Sequence, residues 1–467
     1  MSLLIVLAAL SFLMFVAYRG HSVILFAPVA AMSAVLLTDP TLVAPMFTGL
    51  FMDKMVGFLK LYFPVFLLGA VFGKLIEISG FSKSIVAATI RVVGAGRAML
   101  SIVVVCALLT YGGVSLFVVV FAVYPFAAEL FRQGDIPKRL IPGTIALGAF
   151  TFTMDALPGT PQIQNIIPTA FFGTDAWAAP VLGTLGGVFI LAVGMAYLEW
   201  RRRGAARAGE GYGDIGALRN EPAPFEGSRL ANPLVAILPL VLVGASNLLF
   251  TAWIPRLYGA THSFVPAVVG NAAPVVQDVS KVAAIWAVQG ALLVGIATVL
   301  LFAWRTVVSG FAEGTRAAIG GALLAAMNTA SEYGFGAVVA ALPGFLLVAN
   351  ALAAIPDPLV NEAVTVTALA GITGSASGGM SIALAAMAET FIANAAAAGI
   401  PMEVLHRVAS MASGGMDTLP HNGAVITLLA VTGLTHRQAY KDIFAITVVK
   451  TLAVFAVIVL FYATGWV

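Results

Sequence analysis

Two segments of the sequence carry the same unusual chemistry. They are Met154-Asp155-Ala156-Leu157-Pro158-Gly159-Thr160-Pro161-Gln162 and, about 262 positions later, Met416-Asp417-Thr418-Leu419-Pro420-His421-Asn422-Gly423-Ala424. Each sets an acid and a helix breaker inside apolar sequence. A carboxylate in hydrocarbon is costly, and a Pro-Gly break frees backbone groups that lipid cannot satisfy, so such segments persist only around a polar cavity. One of them in each half of a membrane chain is the pattern of a secondary transporter whose site lies between two repeats. Asp155 and Asp417 are candidate proton carriers, because mid-membrane burial favours the neutral acid. With the carbonyls of the breaks, binding Na⁺ is the alternative role, and either can cap the half-helix that follows. Thr160, Gln162, Asn165, Thr418, His421 and Asn422 add neutral donors and acceptors suited to a hydroxy acid. His421 can also relay a proton, since an imidazole titrates near working pH.

A second pair of motifs consists of glycine turns. Tyr111-Gly112-Gly113-Val114-Ser115 and Thr373-Gly374-Ser375-Ala376-Ser377-Gly378-Gly379-Met380-Ser381 share Gly-Gly-Val-Ser and Gly-Gly-Met-Ser, about 266 positions apart. Each sits at the centre of an apolar stretch and reads as the tip of a re-entrant hairpin. Helix N-termini at such tips and breaks present unpaired N–H groups and positive dipole ends, which favour an anion. Gly113, Ser115, Ser375, Ser377, Gly378, Gly379 and Ser381 are therefore candidate ligand-binding residues, with close helix packing as the alternative role of the serines.

The elements that must position these motifs are membrane helices. The chain has 467 residues, 60% hydrophobic and 10% charged, and a mean hydropathy of +1.01, far from a soluble composition. Apolar runs of about 20 residues recur throughout, and no polar stretch is large enough for a separate soluble domain. The run from Met1 to Ala17 reads as a first span and not as a signal peptide. The lone Cys106 excludes an internal disulfide framework and a cysteine metal site. Basic residues at 82–97, 131–139, 200–230 and 433–442 mark one side of the membrane as cytoplasmic, whereas 340–402 contains no Lys or Arg.

The expected spans are 3–17, 22–37, 56–79, 140–172 (broken), 179–199, 232–253, 281–304, 317–339, 404–432 (broken) and 443–464. Hairpins are expected at 98–131 and 363–399. The fold class is thus all-α integral membrane, with ten transmembrane helices and two re-entrant hairpins in two inverted-topology repeats. Residues 1–199 form the first repeat, with a cytoplasmic hairpin; 200–230 is a cytoplasmic Arg-rich linker; 231–467 is the second repeat, with its hairpin outside. Lys74, Glu77 and Lys450 lie inside spans, close enough to the cytoplasmic end to snorkel. Glu332, with Asn328 and Ser331 one turn away, is deeper, facing either the site or a scaffold interface.

The stretch from Val404 to Asp442, VLHRVASMASGGMDTLPHNGAVITLLAVTGLTHRQAYKD, resembles the gluconate permease (GntP) family of proton symporters. GITGSASGGMSIAL at 371–384 and SEYGFGAVV at 331–339 are similar to the same family. The resemblance implies the ion-transporter superfamily fold with scaffold and transport domains, a homodimer, and proton-coupled uptake of gluconate, related sugar acids or short hydroxy acids such as 3-hydroxybutyrate. It also implies a multi-pass protein of the bacterial inner membrane. The first break departs from the Pro-Pro-His-Pro pattern of sugar-acid members and is closer to the hydroxybutyrate-type branch.

The expected function is uptake of a small hydroxy monocarboxylate with protons, through alternating access. The partners are the organic anion, the proton and the bilayer, with no cofactor, no metal and no nucleic acid. A Na⁺-coupled symporter and an anion channel are the rivals. An intramembrane hydrolase is disfavoured, because neither Ser375 nor Ser377 sits in a G-x-S-x-G elbow and no H-E-x-x-H or phosphate loop occurs.

Overall fold

The computed structural model describes residues 2–19, 21–213, 218–222, 230–265, 273–345, 347, 355–420 and 422–467. The chain opens with α1 (Ser2–Tyr18) and α2 (Val23–Thr38). A short α3 (Val43–Met46) then runs through a π turn into α4 (Met52–Ile78). The span expected at 56–79 therefore starts earlier, since Pro40–Ile78 is continuously helical. An amphipathic α5 (Phe81–Val93) precedes the first pair of antiparallel limbs, α6 (Ala98–Tyr111) and α7 (Leu116–Gln133). The helix that follows is interrupted: α8 (Ile141–Ala149) and a single turn, α9 (Phe152–Asp155), give way to an unwound stretch before α10 (Ile163–Phe172). Next come α11 (Pro180–Arg207), α12 (Pro233–Tyr258), α13 (Ala283–Val307) and α14 (Phe311–Ala341). The second pair of limbs is α15 (Pro358–Thr373) and α16 (Ala376–Ala397). The second interrupted helix is α17 (Met402–Ser413) and α18 (Gly423–Thr432), and α19 (His436–Thr464) closes the chain.

Local chemistry explains these boundaries. Pro starts α11, α12 and α15, where its missing N–H costs nothing, and the Asn232 and Asp357 side chains cap the last two of these. Thr435 and Gln438 form a capping box at the start of α19. The two pairs of limbs turn on Gly113 (φ 94°) and Gly374 (φ 66°), a backbone region that only glycine enters freely. Gly378 and Gly379, read from the sequence as tip residues, lie instead in the first turn of α16.

Six helices among the described residues are long and apolar enough to cross a bilayer: Pro40–Ile78, α11, α12, α13, α16 and α19. Several other expected spans are shorter apolar helices or, at 140–172 and 404–432, pairs of half-helices. Two further corrections concern loops. The fold is not purely α, because β1 (Thr261–Phe264) and β2 (Val275–Asp278) pair antiparallel between α12 and α13, with Thr261 opposite Asp278. The linker expected at 200–230 is helical as far as Arg207, so Arg201, Arg202 and Arg203 ride on the last turns of α11.

Packing sorts the helices into two groups. In one, α4 lies against α13 and α14, α12 against α13, and α2 against α1 and α14. In the other, α8 packs on α6 and α19, α10 on α17, and α15 on α16 and α17. Between the groups α16 lies along α14, and the Tyr62 hydroxyl of α4 donates to the Ile167 carbonyl of α10 at 3.0 Å.

Candidate functional site

Four helices begin at one cavity. Its volume is about 960 Å³, within the range of small-molecule sites. The first residues of α7, α10, α16 and α18, namely Leu116, Ile163, Ala376 and Gly423, all line it. Two of these starts follow glycine turns and two follow the unwound segments, so both pairs of limbs and both interrupted helices meet there. Each of these starts turns the positive end of its helix dipole to the cavity, whose wall carries no arginine. Ser375 caps α16 by accepting from Gly378 N, and Asn422 caps α18 by accepting from Ala424 N and Val425 N. Neither α7 nor α10 has a side-chain cap, which leaves first-turn N–H groups for a ligand. The opposite wall is built by Val65, Gly69 and Ala70 of α4 and by Ala318, Ala325 and Asn328 of α14.

Each interrupted helix ties down the neighbouring glycine turn. Gln162, just before α10, donates through Nε2 to the Thr110 and Val114 carbonyls at 2.7 and 3.3 Å. Asn422, just before α18, donates through Nδ2 to the Gly374 carbonyl at 2.8 Å. The Tyr111 hydroxyl adds a bond to the Pro158 carbonyl at 2.8 Å. Of the residues singled out from sequence, Gly113, Ser115, Gln162, Ser375, Ser377, Asp417, Thr418 and Asn422 line the cavity. Thr160, Asn165, Gly378, Gly379, Ser381 and Asp155 do not. The Thr160 hydroxyl bonds the Thr153 carbonyl, and Asn165 is spent on the Thr160 and Ala176 carbonyls. Gly379 is where α16 crosses Ala370 of α15, since a Cβ there would overlap that backbone. Ser381 is fully buried. His421 lies outside the described residues.

Behind the cavity the two breaks cross at a buried charge cluster. Lys450 of α19 donates Nζ to Asp417 Oδ1 in a very short contact and to the Phe150 carbonyl at 3.2 Å, joining the second break to the first. Asp155 faces Gly414 of the second break so closely that a Cβ there would overlap its carboxylate. Neither carboxylate oxygen of Asp155 has a hydrogen-bond partner among the described residues. Its backbone carbonyl accepts from Arg407 Nη1 at 3.1 Å and Ser410 Oγ at 2.7 Å. Arg407 is fully buried and also bonds the Ala178 carbonyl and Asn165 Oδ1. Neither aspartate caps the following half-helix; Gln162 and Asn422 hold those positions.

Sequence reasoning missed Lys450 and Arg407. Lys450 was expected to snorkel, but α19 begins at His436 and not near 443, which puts Lys450 roughly 20 Å into the helix, beyond the reach of its stem. Arg407 falls inside the span expected at 404–432 without being singled out there; α17, which runs from Met402 to Ser413, buries it completely. Lys74 and Glu77, by contrast, pair with each other at 2.9 Å at a half-exposed edge of the cavity.

The sequence is 60% identical, over 475 residues and 100% of both chains, to a Bacillus subtilis (strain 168) protein described as uncharacterized transporter YxjC. The chain belongs to the family of the YxjC transporter. No family model matches it. The chain also aligns with the crystal structure of the Alcanivorax borkumensis YdaH transporter, at TM-score 0.48 and 15% identity, covering 92% of this chain and 90% of that one. With its apolar helices, this YxjC relative is a multi-pass membrane transporter.

Proposed function

We propose that the protein is a secondary active transporter that takes up small hydroxy monocarboxylates, of the gluconate or 3-hydroxybutyrate class, together with protons. The observation that carries this reading is the convergence of four helix N-termini on one cavity, which suits a single negative charge. Ser115, Gln162, Ser375, Ser377 and Asn422 in its wall suit the hydroxyl groups of such an acid. The paired turns and breaks support two inverted repeats around one site, and hence alternating access over a channel. In this reading the whole chain is a ten-span, GntP-like fold, and α6–α7 and α15–α16 are the re-entrant hairpins of its transport domain. The helices around α4 and α14 are its scaffold, the assembly is a homodimer, and the membrane is the bacterial inner membrane.

Proton coupling is favoured over sodium by Lys450. Its ammonium already neutralises Asp417 and takes the Phe150 carbonyl, the kind of ligands a sodium ion would need. Asp155, with no partner for its carboxyl oxygens, is then the freer of the two aspartates to carry a proton. The test is uptake by purified protein in liposomes of labelled gluconate, 3-hydroxybutyrate, lactate and citrate under imposed proton or sodium gradients. Saturable, proton-driven accumulation of a hydroxy monocarboxylate is expected. Accumulation driven by sodium alone, or no accumulation of any of the four, overturns the reading.

A further inference from the structure

Glu332 stands on α14, across the cavity wall from the start of α16. It is 3% exposed, lines the cavity, and its Oε2 has no hydrogen-bond partner among the described residues. Its carboxyl lies directly over Gly378, where any Cβ would collide with Oε2. That is the third residue of α16, so the acid occupies the positive end of a 22-residue helix. One turn earlier on α14, Thr329 Oγ1 meets Ser377 Oγ at 3.2 Å, fixing the same two surfaces together. Because Ser375 already caps the Gly378 N–H, the α16 dipole and the N–H groups of Ala376 and Ser377 are what remain to meet an anion.

We infer that Glu332 is a proton-binding residue of the transport site, and that its carboxylate competes with the carboxylate of the substrate for the start of α16. This rests on the reading that the cavity takes a carboxylate. Two anions cannot share one helix end in a dry wall, because each raises the cost of the other. An arriving substrate anion is therefore accompanied by one proton onto Glu332, which leaves the local charge unchanged, and its departure releases that proton. Neighbouring charges offer Glu332 no alternative neutralisation. On α4, Lys74 is paired with Glu77 in the same wall, Tyr62 donates to the Ile167 carbonyl, and Asp53, Lys54 and Lys60 are exposed. From α16 comes only Glu389, exposed, and α2 and the π turn carry no titratable side chain. On α14 itself Glu313 and Arg316 are exposed, and the Tyr333 ring packs on Phe58 and Phe171. Asp417 and His21 also line the cavity, and Asp417 is held by Lys450.

The test is binding of 3-hydroxybutyrate and gluconate to the purified full-length protein, as a function of pH and by calorimetry in buffers of different ionisation enthalpy. In the wild type, binding should weaken by up to about tenfold per pH unit as pH rises, with net proton uptake. In Glu332→Gln, which keeps volume and neutrality, the dependence should flatten, with about one proton fewer taken up per anion. The same slope and proton count in both proteins overturns the inference while leaving the substrate reading intact. Failure of the wild type to bind either acid at any pH overturns both. If the variant does not fold, the substrate-induced infrared difference spectrum of the wild type decides. A new carbonyl band of a protonated carboxyl supports the inference, and its absence overturns it.

Discussion

Removing the Lys450 ammonium leaves the Asp417 carboxylate alone in a dry interior, and losing one partner of a buried pair costs about 3–5 kcal/mol. Lys450→Met is therefore expected to lower the melting temperature of the purified protein sharply, whereas Lys450→Met with Asp417→Asn, which removes both charges, should recover most of the loss. A double variant as unstable as the single one would show that the pair contributes through packing and not through charge. Under the proposed coupling, Asp155→Asn should weaken gradient-driven accumulation more than substrate counterflow, and equal loss of both would point to a structural role. The acids of this cluster were legible in the sequence, because a carboxyl beside a Pro-Gly break in apolar surroundings has few uses. Their partners were not. Lys450 lies 33 positions after Asp417 in a different helix, and nothing in local spacing says which of several membrane-embedded charges will meet.

The interrupted helices and the glycine turns work as joined pieces. Gln162 and Asn422 each hold the turn beside their own half-helix, so Gln162→Ala and Asn422→Ala should loosen the positioning of the α7 and α16 N-termini. Each is expected to weaken substrate affinity by about tenfold, a loss typical of a hydrogen bond to a buried carbonyl. Asn422→Ala also removes a cap worth about 1 kcal/mol and should lower the melting temperature the more of the two. Unchanged affinity in both variants would mean that the turns are held by packing alone. The breaks and turns could be read in advance because Gly and Pro act locally. The ends of their limbs could not, because helices such as Pro40–Ile78 and α11 run on past the hydrocarbon-length window that sequence reasoning assigns. The small β1–β2 ribbon carries neither a clear alternation nor a tight Asn-Gly turn, and it left no signal.

Three of the basic segments read as cytoplasmic, 131–139, 200–230 and 433–442, meet through ion pairs. Arg132 and Lys138 reach Glu221 at 3.0 and 2.6 Å, Arg139 reaches Glu210 at 2.6 Å, and Arg201 reaches Asp442 at 2.6 Å. The charge bias from which sidedness is read is spread over the chain, and hence visible without any contact being known. The same network docks the linker after α11. Burial works against the charge of Glu221, but hydrogen bonds from Lys138 and Tyr212 and the Arg132 guanidinium hold its carboxyl below the usual range. A group lowered in this way contributes stability above its unfolded value of about 4.3, and that contribution fades as pH falls through the folded value. Cleavage of the linker by an acid-tolerant protease should therefore rise steeply below about pH 4 in the wild type. In Glu221→Gln it should already be raised at pH 7 and change less with acidification. Equal cleavage of both proteins at neutral pH would exclude the clamp.

The wall that α14 offers to the cavity is made largely of Ala317, Ala318, Gly321, Ala322 and Ala325, and α4 adds Gly69 and Ala70. Side chains with at most one carbon present no teeth to a neighbour. A body that glides past such a smooth rail re-forms its van der Waals contacts at each step and climbs no steric ridge. Away from the Thr329–Ser377 contact, the helices with the most to hold in place thus stand opposite a stretch of wall with little grip.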